Sequence, residues 1–273
     1  MITQHMFPVA EQRAAGGLMW LTLHAPAIAR SIRPGQYLLV RCADADSADP
    51  LLRRPLFVAA AEESLGQIGL LYAPSERGLR WLSRARPGEP IDVLGPFGHG
   101  FEVDRRTCTL LLVGQGDALG ALLLLAAQSV RRGCAVALLA GAADPALLPP
   151  AFLLPDEVEY QSTVGSPLGL LLPPAAPAPA KGKRRPEPPR PAARPELIAW
   201  ADQVCAALPI EDAATLCDQV RLAKLRWERG FASALLDGPF VCGTGACGVC
   251  AAELRVGTRM RCSDGPVFDL RDL

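Results

Sequence analysis

Four cysteines near the end of the sequence constrain this chain more than any other feature. Cys242, Cys247 and Cys250 stand at C-x4-C-x2-C spacing, and Cys262 follows after a short insertion. The first three match the plant-type pattern for a [2Fe–2S] cluster, in which thiolates hold two bridged irons. Gly243, Gly245 and Gly248 lie between them. Glycine tolerates the positive φ that a loop needs to curl with its N–H groups toward sulfur. Such a cluster moves one electron at a time, so the spacing implies an electron carrier. A four-cysteine zinc site usually pairs two short C-x2-C knuckles, and only one is present here. Nine cysteines in a chain with no secretion signal argue for a reducing compartment rather than disulfides. Cys42, Cys108, Cys134, Cys205 and Cys217 lie singly in apolar or helical surroundings and read as small packing residues.

The remaining composition excludes more than it assigns. Formal net charge is zero, and aromatics make up 5% of the 273 residues. Neither a global field nor a base-stacking platform for nucleic acid is expected. The longest apolar stretch, 118–127, is too short to span a bilayer. With no leader visible at the N-terminus, a cytoplasmic protein is expected. His5, His24 and His99 do not cluster with acids or a nucleophile, so no catalytic residue is assigned.

Organisation follows from the spacing of apolar runs and turn residues. Short strands are expected at 18–23, 36–42, 56–60, 67–73 and 90–94, punctuated by Pro34-Gly35, Gly66 and Pro87-Gly88, with a short helix at 76–84. Many short strands at close spacing predict a small β-barrel. After the turn-rich 95–101, an apolar strand at 109–113 leads through Gly114-Gln-Gly116 into a long helix, and a strand follows at 134–140. That order predicts a parallel α/β unit. Another strand is expected over 197–208 and a helix over 211–229, with Leu216, Val220, Ala223 and Trp227 on one face. Proline, alanine and basic residues dominate 173–195, which reads as a solvated insertion.

Three stretches resemble the electron-transfer subunit of class 1B dihydroorotate dehydrogenase, within the ferredoxin–NADP reductase-like superfamily. Leu52-Arg-Arg-Pro-Leu-Phe57 is similar to the family's flavin segment, Asp92 to Phe101 to its barrel exit, and the cysteine run with Met260-Arg-Cys-Ser-Asp-Gly-Pro-Val-Phe268 to its cluster motif and ending. The resemblance implies an FAD-binding β-barrel at 1–101, an α/β nucleotide-binding-like domain at 102–235 carrying the insertion, and a [2Fe–2S] module at 236–273. It implies cluster ligation by Cys242, Cys247, Cys250 and Cys262. It implies FAD contacts from Arg54, Pro55, Leu56, Phe57, Leu71, Tyr72, Ala73, Gly78 and Leu79. Arg54 and the Gly78 N–H would face the diphosphate, and Tyr72 would stack on a ring. The implied partner is a catalytic dihydroorotate dehydrogenase-type subunit carrying FMN, in a heterotetramer serving pyrimidine biosynthesis.

Several residues depart from that pattern. Phe57 stands where the family has Ser or Thr, and Leu79 where it has Thr. The glycine-rich nucleotide turn reads Gly114-Gln-Gly-Asp-Ala118, which places an acid beside the path of an anionic ligand. This turn argues against efficient use of NADH. A ferredoxin-like donor, or a largely structural or regulatory role with vestigial nucleotide sites, are the alternatives.

Overall fold

The computed structural model describes residues 2–44, 46–172 and 194–273. Most of the proline-rich insertion, 173–193, lies outside the described residues.

Six strands close a barrel: β1 (Thr3–Ala15), β2 (Leu18–His24), β3 (Tyr37–Val40), β4 (Arg54–Glu62), β5 (Gln67–Tyr72) and β6 (Pro90–Phe97), in the order β1-β2-β5-β4-β3-β6. Helix α1 (Pro26–Ser31) leads from β2 toward β3, and α2 (Arg77–Leu82) lies between β5 and β6. Alternation gives the barrel two apolar faces. Leu38, Val40, Leu56, Val58, Leu70 and Tyr72 fill the interior, whereas Tyr37, Leu39, Phe57, Ala59 and Leu71 face outward into a second core. An outward face this apolar requires something to cover it.

The cover is the α/β layer. Strands β7 (Thr109–Gln115), β8 (Ala135–Ala142) and β9 (Val158–Val164) alternate with α3 (Leu119–Arg131), which links β7 to β8. The short α4 (Leu197–Trp200), β10 (Gln203–Leu208), α5 (Ile210–Ala223) and β11 (Ala232–Leu236) complete the parallel part. The central strands are buried on both faces: Leu110 and Leu112 pack toward the barrel, and Leu111 and Val113 toward α5. Such strands read as continuous apolar runs. Helix α3 is buried almost all round because it is wedged between this sheet and the barrel. Gly120 lies at that contact, where an added Cβ would be in ordinary van der Waals contact, 3.6 Å from Ala59 and from the Phe57 carbonyl.

The C-terminal stretch adds a hairpin of β12 (Ala251–Leu254) and β13 (Gly257–Met260), then β14 (Val267–Asp269). Strand β14 pairs antiparallel with β11, giving the sheet order β14-β11-β10-β7-β8-β9. The cysteine segment is thus built into the sheet edge. It also meets the barrel exit, where the His99 N–H donates to Gly265 O at 2.6 Å. A Cβ on Gly98, at φ 79°, would strike the Pro266 ring.

Two sequence expectations need correction. The stretch 197–208 is not one strand but α4 followed by β10. The helix expected over 211–229 ends at Ala223, because Lys224 turns extended. Its ammonium donates to Ala201 O and sits 4.3 Å from the Phe231 ring centroid.

Candidate iron–sulfur centre and flavin face

Gly243, Gly245 and Gly248 have φ of 72°, 79° and 69°, values that L side chains rarely adopt. The loop they shape turns backbone N–H groups onto sulfur. The Gly245 N–H donates to Cys262 Sγ at 3.1 Å, and the Cys262 N–H to Cys250 Sγ at 3.4 Å. The Cys247 and Thr244 N–H groups donate to the Cys242 sulfur and hold its pKa well below the ordinary thiol value, against the effect of burial. Burial, reinforced by the Cys250 thiol, pushes Cys262 the other way.

The thiols associate as two pairs, Cys242 with Cys247 and Cys250 with Cys262. Among the described residues, no group of three or more His, Cys, Asp or Glu is arranged to hold a metal ion. Two thiol pairs with sulfur-directed N–H groups form a donor set suited to a dinuclear cluster, in which each iron takes two thiolates. The chemistry of this donor set therefore fits a [2Fe–2S] group.

An aromatic wall backs the loop. Phe240 stacks on Tyr37 with ring centroids 4.7 Å apart, and Tyr37 stacks on Phe97 at 5.6 Å. Phe57 meets both Tyr37 and Phe240 edge-on. The Tyr37 hydroxyl donates to Cys262 O at 3.4 Å. Burial first, and then the four cysteines, raise its pKa above the ordinary phenol value. Sequence reasoning missed Tyr37, because a strand tyrosine carries no local sign of contact with a segment 225 positions away. Arg261 ties the other side, donating from Nε to Cys250 O at 3.2 Å and from Nη1 to Asp237 O.

The residues expected to hold FAD are placed differently from a ligand-facing set. Arg54, at the start of β4, donates from Nε to Glu76 Oε1 at 2.9 Å and from Nη2 to Glu76 Oε2 at 2.8 Å. Its Nη1 donates to Leu52 O. The same carboxylate caps α2, accepting from the Gly78 N–H at 3.0 Å and the Leu79 N–H at 2.7 Å. Pro55 is half-buried and pairs with Leu39. Leu56 and Leu79 point into the barrel interior, and Phe57, Leu71 and Ala73 belong to the core shared with the α/β layer. Tyr72 does not offer a ring for stacking. It is 1% exposed inside the barrel, and its hydroxyl accepts from Gln12 Nε2 at 2.9 Å.

The Glu76 carboxyl is held down at about 2, chiefly by Arg54 and then by the two N–H groups. A depressed folded-state pKa contributes stability that is complete above the ordinary value of 4.5 and is lost as pH falls toward about 2. Glu76→Gln should therefore flatten the acid limb of melting temperature against pH between about pH 5 and pH 2. An acid limb as steep as in the parent would contradict this.

The nucleotide turn is also explained by packing. A Cβ on Gly114 would meet Leu122 and Leu119 of α3 at 2.5 and 2.6 Å. Cys205, in the neighbouring β10, is fully buried, and burial pushes its thiol up to about 12. A 180 Å³ cavity beside the turn is lined by Leu71, Ala73, Gln115, Asp117, Leu119 and Pro149, among others. That is smaller than the roughly 300–1,000 Å³ usual for ligand sites. Asp117 stands at the cavity's exposed rim, with its pKa raised by desolvation.

Comparison with known proteins agrees with this architecture. The family profile "Iron-sulfur cluster binding domain of dihydroorotate dehydrogenase B" matches residues 238–273. The dihydroorotate dehydrogenase B (NAD(+)) electron transfer subunit of Geobacillus thermodenitrificans (strain NG80-2) is 37% identical over 145 residues, 52% of this chain and 56% of that protein. The corresponding subunit of Lysinibacillus sphaericus (strain C3-41) is 35% identical over 132 residues, 48% of this chain and 50% of that one. The matches thus span about half the length of these curated relatives. Among solved structures, an NADH-dependent reduced ferredoxin-NADP oxidoreductase superposes with a TM-score of 0.71 at 20% identity, covering 97% of this chain and 88% of that one. The ferredoxin reductase of carbazole 1,9a-dioxygenase gives 0.55 at 18% identity, over 81% and 65%. At such identities these two establish the fold. These similarities support iron–sulfur and flavin cofactor binding in general terms. In its cysteine module, its barrel and its parallel sheet, the chain is similar to the dihydroorotate dehydrogenase B electron-transfer subunits, and its residues 238–273 match the iron–sulfur cluster binding domain of that family.

Proposed function

We propose that this chain is an iron–sulfur electron-transfer subunit serving a catalytic dihydroorotate dehydrogenase-type partner that carries its own flavin. The observation that carries the reading is the paired arrangement of Cys242 with Cys247 and Cys250 with Cys262, with backbone N–H groups directed at sulfur. A [2Fe–2S] cluster bound there supplies one-electron transfer. The chain's own residues set its surroundings. Cys250 and Cys262 are 1% and 0% exposed, and Phe240, Tyr37 and Phe97 shield them from water. Cys247 is exposed, and Val249 beside it is 52% exposed, which presents one side of the site to a partner. Burial and hydrogen bonds to sulfur tune the potential of such centres.

Co-expression with a dihydroorotate dehydrogenase-type catalytic subunit tests this. The two chains should purify together, and anaerobic dihydroorotate should reduce the cluster. A cluster that stays oxidised in an intact, active complex would reject this partner. A second reading concerns the other electron exchange partner. The acidic Asp117 at the turn and the packed Gly114 favour a redox protein over NADH. Rapid reduction by NADH in a stopped-flow experiment would remove that option.

A further inference from the structure

We propose that Glu76 is a built-in anion occupying the position that the flavin diphosphate would take, so that this chain holds no FAD of its own and the cysteine-bound cluster is its single redox group. This goes beyond the proposed function, which is silent on how many redox groups the chain carries.

The first observation is a complete set of hydrogen bonds. Arg54 Nε, Arg54 Nη2, Gly78 N and Leu79 N are the donors an anionic ligand at this edge of the barrel would need. All four end on the two oxygens of Glu76, at 2.7 to 3.0 Å. A carboxylate offers about four lone-pair sites, so this one is saturated. The remaining Arg54 nitrogen, Nη1, is held by Leu52 O. Three of the five guanidinium N–H donors and both backbone N–H groups are thus taken, and an incoming diphosphate would have to displace a fixed like charge to use them. Held at about 2, Glu76 keeps that charge at neutral pH.

The second observation is the space. A Cβ on Gly78 would lie 3.1 Å from both Cys42 and Pro50, so the backbone here is already closely covered. On the ring side, Phe57 is 4% exposed and packs against Tyr37 and Phe240. Helix α3 closes over the next part of β4 and β5 through Gly120. The surface along which a tricyclic ring would lie is therefore largely taken by the chain's own rings and helix, and the 180 Å³ cavity left beside Leu71, Tyr72 and Ala73 is smaller than the roughly 300–1,000 Å³ usual for ligand sites. Charge and volume act at opposite ends of the same expected ligand, and each excludes it independently.

The experiment uses the full chain purified anaerobically, with its visible cluster absorption as the control for folding. Extracted flavin should be absent, and added FAD should keep its full fluorescence. Glu76→Ser frees Arg54 Nε and Nη2 and removes the fixed negative charge, while a serine can still cap α2. Calorimetry with inorganic pyrophosphate should then show binding at least about tenfold tighter than in the parent, as charge-assisted hydrogen bonds are regained. Glu76→Ser combined with Phe57→Ser should quench FAD fluorescence where the parent does not. Stoichiometric FAD in the parent, or saturable FAD quenching by it, would overturn the proposal without any variant. Pyrophosphate binding unchanged in a folded Glu76→Ser protein would overturn the role of Glu76. Cluster content and reduction by the partner are measured separately, so failure of the proposed function would leave these results readable.

Discussion

Cys250→Ala protein should be colourless, with iron falling from about two per chain to background. Cys250 is 1% exposed, its sulfur accepts the Cys262 N–H, and its carbonyl accepts from Arg261. Removing this thiolate would leave the cluster one protein ligand short in a buried corner. Because metal binding and local folding share one free energy, the loop 242–250 should also lose protection against proteolysis. The barrel, which has its own interior core, should remain folded. Cys42→Ala and Cys217→Ala are the controls. Both residues are buried away from the loop and should leave the iron content unchanged. Iron retained by Cys250→Ala, or lost in the controls, would contradict the ligand assignment.

The second large effect is expected at Phe240. This ring is 2% exposed, stacks on Tyr37 at 4.7 Å and meets Phe57 edge-on. It stands two positions before Cys242, so it anchors the cysteine loop to the outer face of the barrel. Phe240→Ala removes a large buried ring between two layers that cannot easily collapse, at a cost of about 3–5 kcal/mol. For a unit of this size that corresponds to a fall in Tm of roughly 10 °C. Thermal melts followed at 222 nm would check it, and iron release to a chelator should quicken in parallel. A loss under about 1 kcal/mol would show that the aromatic wall is not what joins the barrel to the loop.

The cysteine module was legible because its information is local. Spacing and interleaved glycines are read within nine residues, and the positive φ values at Gly243, Gly245 and Gly248 follow the same run. Strands β7 and β8 were legible because burial on both faces leaves unbroken apolar runs. Strand β1 escaped notice. Only Phe7, Val9 and Ala15 of its thirteen residues are buried, so it carries little apolar period. Strand β9 was missed for a related reason: it is an edge strand in which Val158 alone is buried. Helix α5 was extended too far, because Trp227 kept the helical spacing although the chain turns at Lys224. The flavin face was the least legible. Arg54 and Glu76 are 22 positions apart, and their pairing depends on β4 and α2 meeting at one barrel edge. Sequence motifs named the donors there, but only the fold reveals which acceptor takes them.

The most direct test of the central assignment is metal and sulfide analysis of anaerobically purified protein, combined with EPR after reduction by dithionite. We expect iron and acid-labile sulfide at about two each per chain, negligible zinc and the signal of a reduced [2Fe–2S] centre. Protein that carries zinc, lacks iron and sulfide, and stays EPR-silent on reduction would contradict it.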